Sequence, residues 1–376
     1  MKPAVTKDPK ARLIAFYLPQ FYPTPENDLW WGKGFTEWTN VAKAKPLFPG
    51  HRQPDLPSDL GFYDLRVPEV REAQVDLART HGIEGFCYWH YWFGDGQRIL
   101  QRVFDEVLQS GKPDFPFCLA WANETWNRAW HGKEEELLME QKYPGEQDYR
   151  EHFNFLLKAF RDPRYIRVDG KPLFIVYEPR ELPRSREVIA FWKKLAVEAG
   201  LPGLFVPGVC DDVFPFAENG FDARIPIEPA TFQNLNVWGW QMGERRSLPF
   251  RVHERIWRKI RPWWPFPKIY SYPRKAKYFI NQPRRDSHTL PTVLVNWDNT
   301  PRCAKRGSLF LGATPEAYRL VLRKAIADVT DHPPEQKLVF LKSWNEWAEG
   351  NYLEPGRRFG LGYLKVTQEE VLGKNS

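Results

Sequence analysis

Apolar and polar positions along the chain follow a repeating order: a short, almost unbroken apolar run, then a longer stretch in which apolar residues return every three or four positions. The short runs read as strands covered on both faces and the long ones as amphipathic helices, so their alternation predicts a parallel sheet with crossover helices. Eight runs qualify as strands: 12–21, 85–92, 116–123, 172–178, 204–210, 222–228, 292–298 and 337–343. Helical spacing is clearest in 67–82, which stops at Gly82, and in 146–160, 184–200 and 314–328, the last opening on Thr314, Pro315 and Glu316. The fold class expected is therefore α/β, a (β/α)8 TIM barrel with long loops and an inserted basic aromatic segment. A doubly wound open sheet usually carries a Gly-rich phosphate turn after its first strand, and "LPQFYPTP" is unlike one.

Each predicted strand ends in a polar or aromatic cluster: "YLPQFY", "YWHYWF", "AWANETW", "VYEP", "GVCDD", "IPIEPA", "VNWDN" and "SWNEWAEG". Barrel strands open onto one common mouth, so these clusters are expected to meet there. The residues expected at the mouth are Tyr17 and Gln20; Trp89, His90 and Tyr91; Trp121, Asn123, Glu124 and Trp126; Tyr177; Glu228; Asn296, Trp297 and Asp298; and Trp344, Asn345 and Trp347. Two of these have a plainer reading. His90 among aromatic residues is as often a satisfied structural histidine, and Glu124 can form a surface pair with Arg128.

Composition adds the candidate chemistry. Aromatic residues make up 15% of the 376 residues, and many lie beside Asn, Asp or Glu near strand ends. Rings can stack on sugar faces while neighbouring acids and amides bond hydroxyls, so this composition points to a glycan; simple core filling is the ordinary explanation for any single ring. Two segments exceed a minimal barrel. The Pro-, Gly- and Trp-rich stretch 22–66 is expected to form a lid or wall over the mouth. The other is an insertion, 231–290, in which residues 244–286 hold 13 Lys and Arg against 3 acids, a net of +10 in a chain of +7. Its aromatic residues, among them Trp257, Trp263, Trp264, Phe266, Tyr270 and Tyr272, suit either a peripheral contact with a phosphate-bearing or lipid-linked glycan at the inner membrane face or packing on the barrel. No nucleic-acid-binding signature accompanies it, and no nucleic acid is expected as a partner.

The whole chain, 1–376, is expected to be one domain. No apolar stretch is long enough to span a bilayer, and no signal-peptide pattern is visible, so a cytoplasmic protein is expected. Cys87, Cys118, Cys210 and Cys303 are widely spaced and read as free, mostly buried thiols. The acids of the mouth fit no EF-hand spacing, and neither metal nor cofactor is expected.

The eighth strand runs into Glu346 and Glu349, flanked by Trp344 and Trp347. Glycosidic cleavage commonly takes two carboxyl groups with separated pKa values. Residues i and i+3 approach each other only if the backbone leaves the extended form, and Gly350 makes such a turn plausible. An isolated E-x-x-E is ordinarily a solvated helix face; its position at a barrel strand end favours catalysis.

The segments "YLPQFYPTPENDLWWGKGFTEWTNVAKAKPLFPGH", "DLGFYDLRVPEVREAQVDLARTHGIEGFCYWHYWF", "GKPDFPFCLAWANETW" and "KSWNEWAEGNYLEP" resemble the WbsX-like family found with bacterial polysaccharide biosynthesis, itself related to glycoside hydrolase family 99, the endo-α-mannosidases and endo-α-mannanases. The resemblance covers about 13–354 and implies a barrel acting on glycans without a metal. It implies that Glu346 acts as base on a substrate 2-hydroxyl, that a 1,2-anhydro sugar forms, and that Glu349 protonates the leaving oxygen. Ala348 departs from the histidine that family 99 often carries there. The function expected is cleavage or transfer of an α-linked, mannose-like glycan with retention. Two alternatives stand beside it: a glycosyltransferase of O-antigen or capsule assembly, and a non-catalytic glycan-binding barrel.

Overall fold

The computed structural model describes residues 9–128, 133–226 and 266–373. All eight predicted strands are present, each shorter than its apolar run: β1 (Arg12–Tyr17), β2 (Gly85–His90), β3 (Phe117–Trp121), β4 (Phe174–Val176), β5 (Pro207–Cys210), β6 (Ala223–Pro226), β7 (Thr292–Leu294) and β8 (Leu338–Lys342). They form one sheet in the order β6-β5-β4-β3-β2-β1-β8-β7, with every neighbouring pair parallel. The two outer strands almost close the barrel: Arg224 N–H donates to His288 O at 2.9 Å and Leu290 N–H to Arg224 O at 2.9 Å, just before β7 begins. The last part of the sixth predicted strand, including Glu228, lies outside the described residues.

The four predicted helices appear as Pro68–Thr80, Glu146–Phe160, Ser185–Glu198 and Pro315–Val329. In Pro315–Val329, Thr314 accepts from Ala317 N–H as N-cap, and Tyr318, Val321, Leu322, Ala325, Ile326 and Val329 bury one face. The helix Pro68–Thr80 stops because Gly82 turns the chain at φ +78°, where an added Cβ would lie 2.5 Å from a Val371 methyl. Buried apolar residues fill both the barrel and the layer between strands and helices. All four cysteines are free, with Cys87, Cys118 and Cys210 buried.

Segment 22–66 contains two short helices, Pro25–Trp31 and Glu37–Lys43. It is fastened over the end of β8: Trp38 donates its indole N–H to Tyr63 O at 2.8 Å, and its ring lies 5.5 Å from that of Trp347. Of the basic insertion, Trp257, Trp263 and Trp264 lie outside the described residues. The part from 266 onward packs beside the barrel, with its strand in a separate two-stranded sheet. Lys268–Ser271 pairs with Ser308–Leu311, the helix Tyr272–Ile280 packs on Pro315–Val329, and Tyr272 is buried with its hydroxyl 2.6 Å from Leu294 O. Tyr270 and Tyr272 are thus buried, as packing of the insertion's aromatic residues on the barrel would have it, and are not part of an exposed basic aromatic surface. Among the described residues no helix is long and apolar enough to cross a membrane.

Candidate active site

Beyond β8 the chain makes a short bridge, Asn345–Glu346 against Asn351–Tyr352, around a 3-10 turn at Trp347–Glu349. Glu346 immediately precedes this turn and Glu349 ends it. Gly350, at φ +60°, closes it where a Cβ would lie 3.0 Å from the Asp298 backbone N. The turn is tied down on both sides. Asn345 clamps Leu18, accepting from its N–H at 2.7 Å and donating to its O at 3.0 Å. Trp347 donates its indole N–H to Glu354 at 2.6 Å and stacks on Tyr352 at 3.7 Å.

Arg302, in the short helix Thr300–Cys303 after β7, sits between three carboxylates. It donates to Glu37 at 2.9 and 2.5 Å, to Glu349 at 2.6 Å and to Glu346 at 3.0 Å. One buried cation facing two buried acids and a partly buried third leaves negative charge uncompensated, and burial itself disfavours charged carboxylates. The Glu346 carboxyl is accordingly pushed up to about 7, by desolvation first and next by the charge of Glu349, with Arg302 opposing. Glu37 is also raised, mainly by desolvation, against the pull of Arg302. Arg302 itself is held firmly protonated by the three acids.

Arg302, Glu346 and Glu349 open on a cavity of about 420 Å³ at the barrel mouth, with Glu37 buried behind them. Among the expected residues, Gln20, Trp89, Tyr91, Glu124, Trp126, Tyr177, Glu346 and Glu349 line it. Glu124 is exposed at the rim, and its carboxyl is raised by the crowding of protein around it and then by the charge of Glu178. Its plainer reading as a partner of Arg128 does not hold, because Arg128 pairs with Glu136 at 2.6 Å.

The remaining expected residues are placed elsewhere. Tyr17 is buried and donates to Gln74 at 2.6 Å. His90 bonds His152 of the helix Glu146–Phe160 at 2.9 Å, and burial holds its imidazole down to about 3. Trp121 is fully buried and donates to Trp92 O at 2.9 Å. Asn123 braces the backbone of Glu178 at 2.8 Å. Trp297 donates to Ser308 at 3.0 Å, and Trp344 is wholly buried. Asn296 is partly buried. Asn345 and Trp347 position the turn, as described, and are themselves buried. Asp298 is saturated: it accepts from His51 at 2.9 Å, Gln53 at 2.8 Å, and Thr300 at 3.0 and 2.6 Å. A carboxylate with its lone pairs so filled has little capacity left for a substrate.

Three site residues escaped the sequence reading. Arg302 and Glu37 are far from the acid pair in sequence, and only folding unites them. Lys342 also lines the cavity, and its signal was legible: a lysine ending an otherwise apolar strand. Among the described residues no group of three or more His, Cys, Asp or Glu side chains could hold a metal ion.

Comparison with known proteins places this geometry in context. Two proteins WxcX from Xanthomonas campestris pv. campestris, strains B100 and ATCC 33913, are each 37% identical over 363 residues, covering 96% of this chain and 50% of the relative. The chain thus spans about half the length of these curated relatives. A glycoside hydrolase-like protein of known structure aligns with a TM-score of 0.58 at 16% identity, covering 97% of this chain and 94% of that one. A GH99 endo-alpha-mannosidase from Bacteroides thetaiotaomicron in complex with Bis-Tris-propane aligns at 0.55 with 16% identity, covering 96% of each chain. At such identity the likeness is one of fold, and it agrees with the eight-stranded barrel. The family model described as Glycosyltransferase WbsX matches residues 13–367, nearly the whole chain, and the protein accordingly belongs to the WbsX family.

Proposed function

We propose that the protein is a carbohydrate-active enzyme that cleaves or transfers an α-linked, mannose-like glycan with retention of configuration. One observation carries this reading: Glu346 and Glu349 bracket one short 3-10 turn, share Arg302, and face an aromatic-walled cavity at the barrel mouth. Glu346 removes the proton of the sugar 2-hydroxyl, whose oxygen attacks C1. The bond from C1 to the leaving oxygen breaks, and Glu349 gives that oxygen a proton. Water or an acceptor hydroxyl then opens the 1,2-anhydro sugar at C1, returning a proton to Glu349 while O2 recovers its own from Glu346. A carboxyl at about 7 is matched to proton transfer near neutrality. Trp89, Tyr91, Trp126 and Tyr177 supply stacking faces, and Gln20, Glu124 and Lys342 polar contacts.

A second assignment exchanges the two roles. It is favoured by Arg302 lying closer to Glu349, at 2.6 Å against 3.0 Å for Glu346, and by the upward shift of the Glu346 carboxyl, which eases its protonation. An aryl glycoside with a good leaving group separates the assignments, because it restores the rate of the variant lacking the acid and leaves the variant lacking the base slow.

The family name and a polysaccharide acceptor favour transfer over hydrolysis where an acceptor hydroxyl outcompetes water. The positive charge of 244–286 favours an acceptor on an anionic lipid. Vesicle binding that survives neutralising Arg258, Lys259 and Arg261 would contradict that part. The test of the activity is incubation with α-linked manno- and rhamno-oligosaccharides, with and without lipid-linked acceptors, read by mass spectrometry and anomeric NMR. Retained configuration in a released or transferred sugar supports the proposal; an inverted product, or no product on any member of the panel, overturns it.

A further inference from the structure

Along β8 alternate side chains turn inward, and Phe340 marks the inward set. Its ring lies 5.5 Å from that of Phe16, which stacks at 4.8 Å on Trp89, a ring of the cavity wall. Lys342, two residues on, shares that face one layer nearer the mouth and lines the same cavity. It is only 8% exposed. Its Nζ stands 5.6 Å from the centre of the Tyr177 ring, which Trp89 meets edge-on at 5.0 Å. A lysine thus rises from the floor of the barrel mouth among aromatic rings.

Its ammonium carries three N–H donors, and among the described residues none is bonded to an acceptor. Glu346, Glu124 and Glu178 all feel its charge, which opposes the rise of each carboxyl, yet none of them pairs with it. The cation stands among acids without touching one. Arg302 is the opposite case, with its guanidinium bonded to Glu37, Glu346 and Glu349. A buried ammonium short of acceptors is costly until an oxygen atom reaches it. Of Arg302 and Lys342, the two cations lining the cavity among the described residues, Lys342 is therefore the one whose donors are all unspent.

We propose that Lys342 is a catalytic residue that donates to the sugar 2-oxygen while Glu346 takes that oxygen's proton. Lys342 gives hydrogen bonds and no proton: the 2-hydroxyl proton goes to Glu346, O2 bonds to C1, and the leaving oxygen departs with a proton from Glu349. Negative charge grows on O2 as its proton leaves. A fixed ammonium in a site shielded from water stabilises that charge most in the transition state, where it is largest. The sugar held at the floor must accordingly carry a free 2-hydroxyl. The inference rests on the proposed glycan reading with Glu346 as base, but its first test is one of binding, so the two can fail separately.

Two probes are titrated into the full chain by calorimetry at about pH 5: a sulfur-linked α-mannobiose, which resists cleavage, and the same disaccharide with hydrogen in place of the 2-hydroxyl of its non-reducing sugar. Glu346, pushed up to about 7, is then protonated in wild type and variant alike, so an effect of Lys342 on its charge drops out. Loss of the 2-hydroxyl is expected to weaken wild-type binding by about thirtyfold and Lys342→Met binding by only about threefold, a coupling of about tenfold between the ammonium and that oxygen. Lys342→Gln, a neutral donor, should fall between, and it carries the test if Lys342→Met does not fold. The same factor in wild type and variants overturns the inference, as does a wild type that binds neither probe, which removes the mannose-like reading with it. Coupling without turnover on any member of the oligosaccharide panel defeats the proposed activity and leaves the contact to O2 standing. Where turnover is found, Lys342→Met should lower kcat about a hundredfold with KM changed only severalfold, and an unchanged kcat overturns the catalytic role.

Discussion

Glu346 and Glu354 lie on the same loop after β8, and both carboxyls are pushed up to about 7 with desolvation as the leading cause. Their surroundings nevertheless differ in kind. Glu354, only 2% exposed, accepts from three neutral donors: Tyr63 at 2.8 Å, Gln74 at 2.6 Å and Trp347 at 2.6 Å. Glu346 borders the cavity, has Arg302 at 3.0 Å, and feels the charge of Glu349 as the second cause of its shift. One is the anchor of a buried network that fixes Trp347 between the two acids; the other has access and spare lone pairs. A raised carboxyl therefore reports burial, and chemistry has to be located by access and by unfilled hydrogen-bond capacity.

The largest effect that would sharpen this contrast is removal of Arg302. Arg302→Met leaves Glu37, Glu346 and Glu349 uncompensated, and a stability loss of about 3–5 kcal/mol is expected in urea unfolding at about pH 8. At about pH 5 the loss should be smaller, because protonation then neutralises the raised acids. A loss independent of pH would mean that the three acids do not act as a charged set.

Next comes Glu354→Ala, which strips the partner from three buried donors and should cost about 3 kcal/mol by the same unfolding measurement. An unchanged midpoint would show that Glu354 is no anchor.

The smallest effect is the pH dependence of the wild type. Glu346 and Glu354 have folded values of about 7 against an ordinary 4.5. The native state thus binds more protons than the unfolded one between these values, and the stability this contributes is full below the lower value and lost as pH rises through the upper. These acids alone make stability fall from about pH 5 to about pH 8, and Glu346→Gln should flatten part of that fall. The buried His90 and His152, held below the ordinary 6.5, act in the opposite sense: their contribution is full above that value and is lost as pH falls below it. A Glu346→Gln variant with the same pH dependence as the wild type would contradict the assigned burial of that acid.

The barrel was legible because strands covered on both faces are nearly continuous apolar runs, and all eight were found. Their ends were overrun where apolar residues continue past the ladder, as in Leu18-Pro19-Gln20-Phe21 after β1. The mouth was read less well, because treating a strand-end cluster as one unit ignores the alternation of faces. Trp89 and Tyr91 line the cavity, while the residue between them, His90, turns to His152 in the helical layer. The E-x-x-E turn was legible from its spacing and Gly350, since it is a local structure. Arg302 and Glu37 were not, since no local pattern records a contact made across the whole barrel.

The most direct measurement compares turnover and melting temperature together in Glu346→Gln, Glu349→Gln and Glu354→Gln, on whichever α-linked oligosaccharide the wild type converts. The account predicts at least about a hundredfold loss of kcat/KM in the first two with melting within a few degrees of wild type, and in the third a clear loss of stability with turnover per folded molecule largely kept. Full turnover in Glu346→Gln or Glu349→Gln, or a Glu354→Gln variant that is stable but inactive, would contradict it.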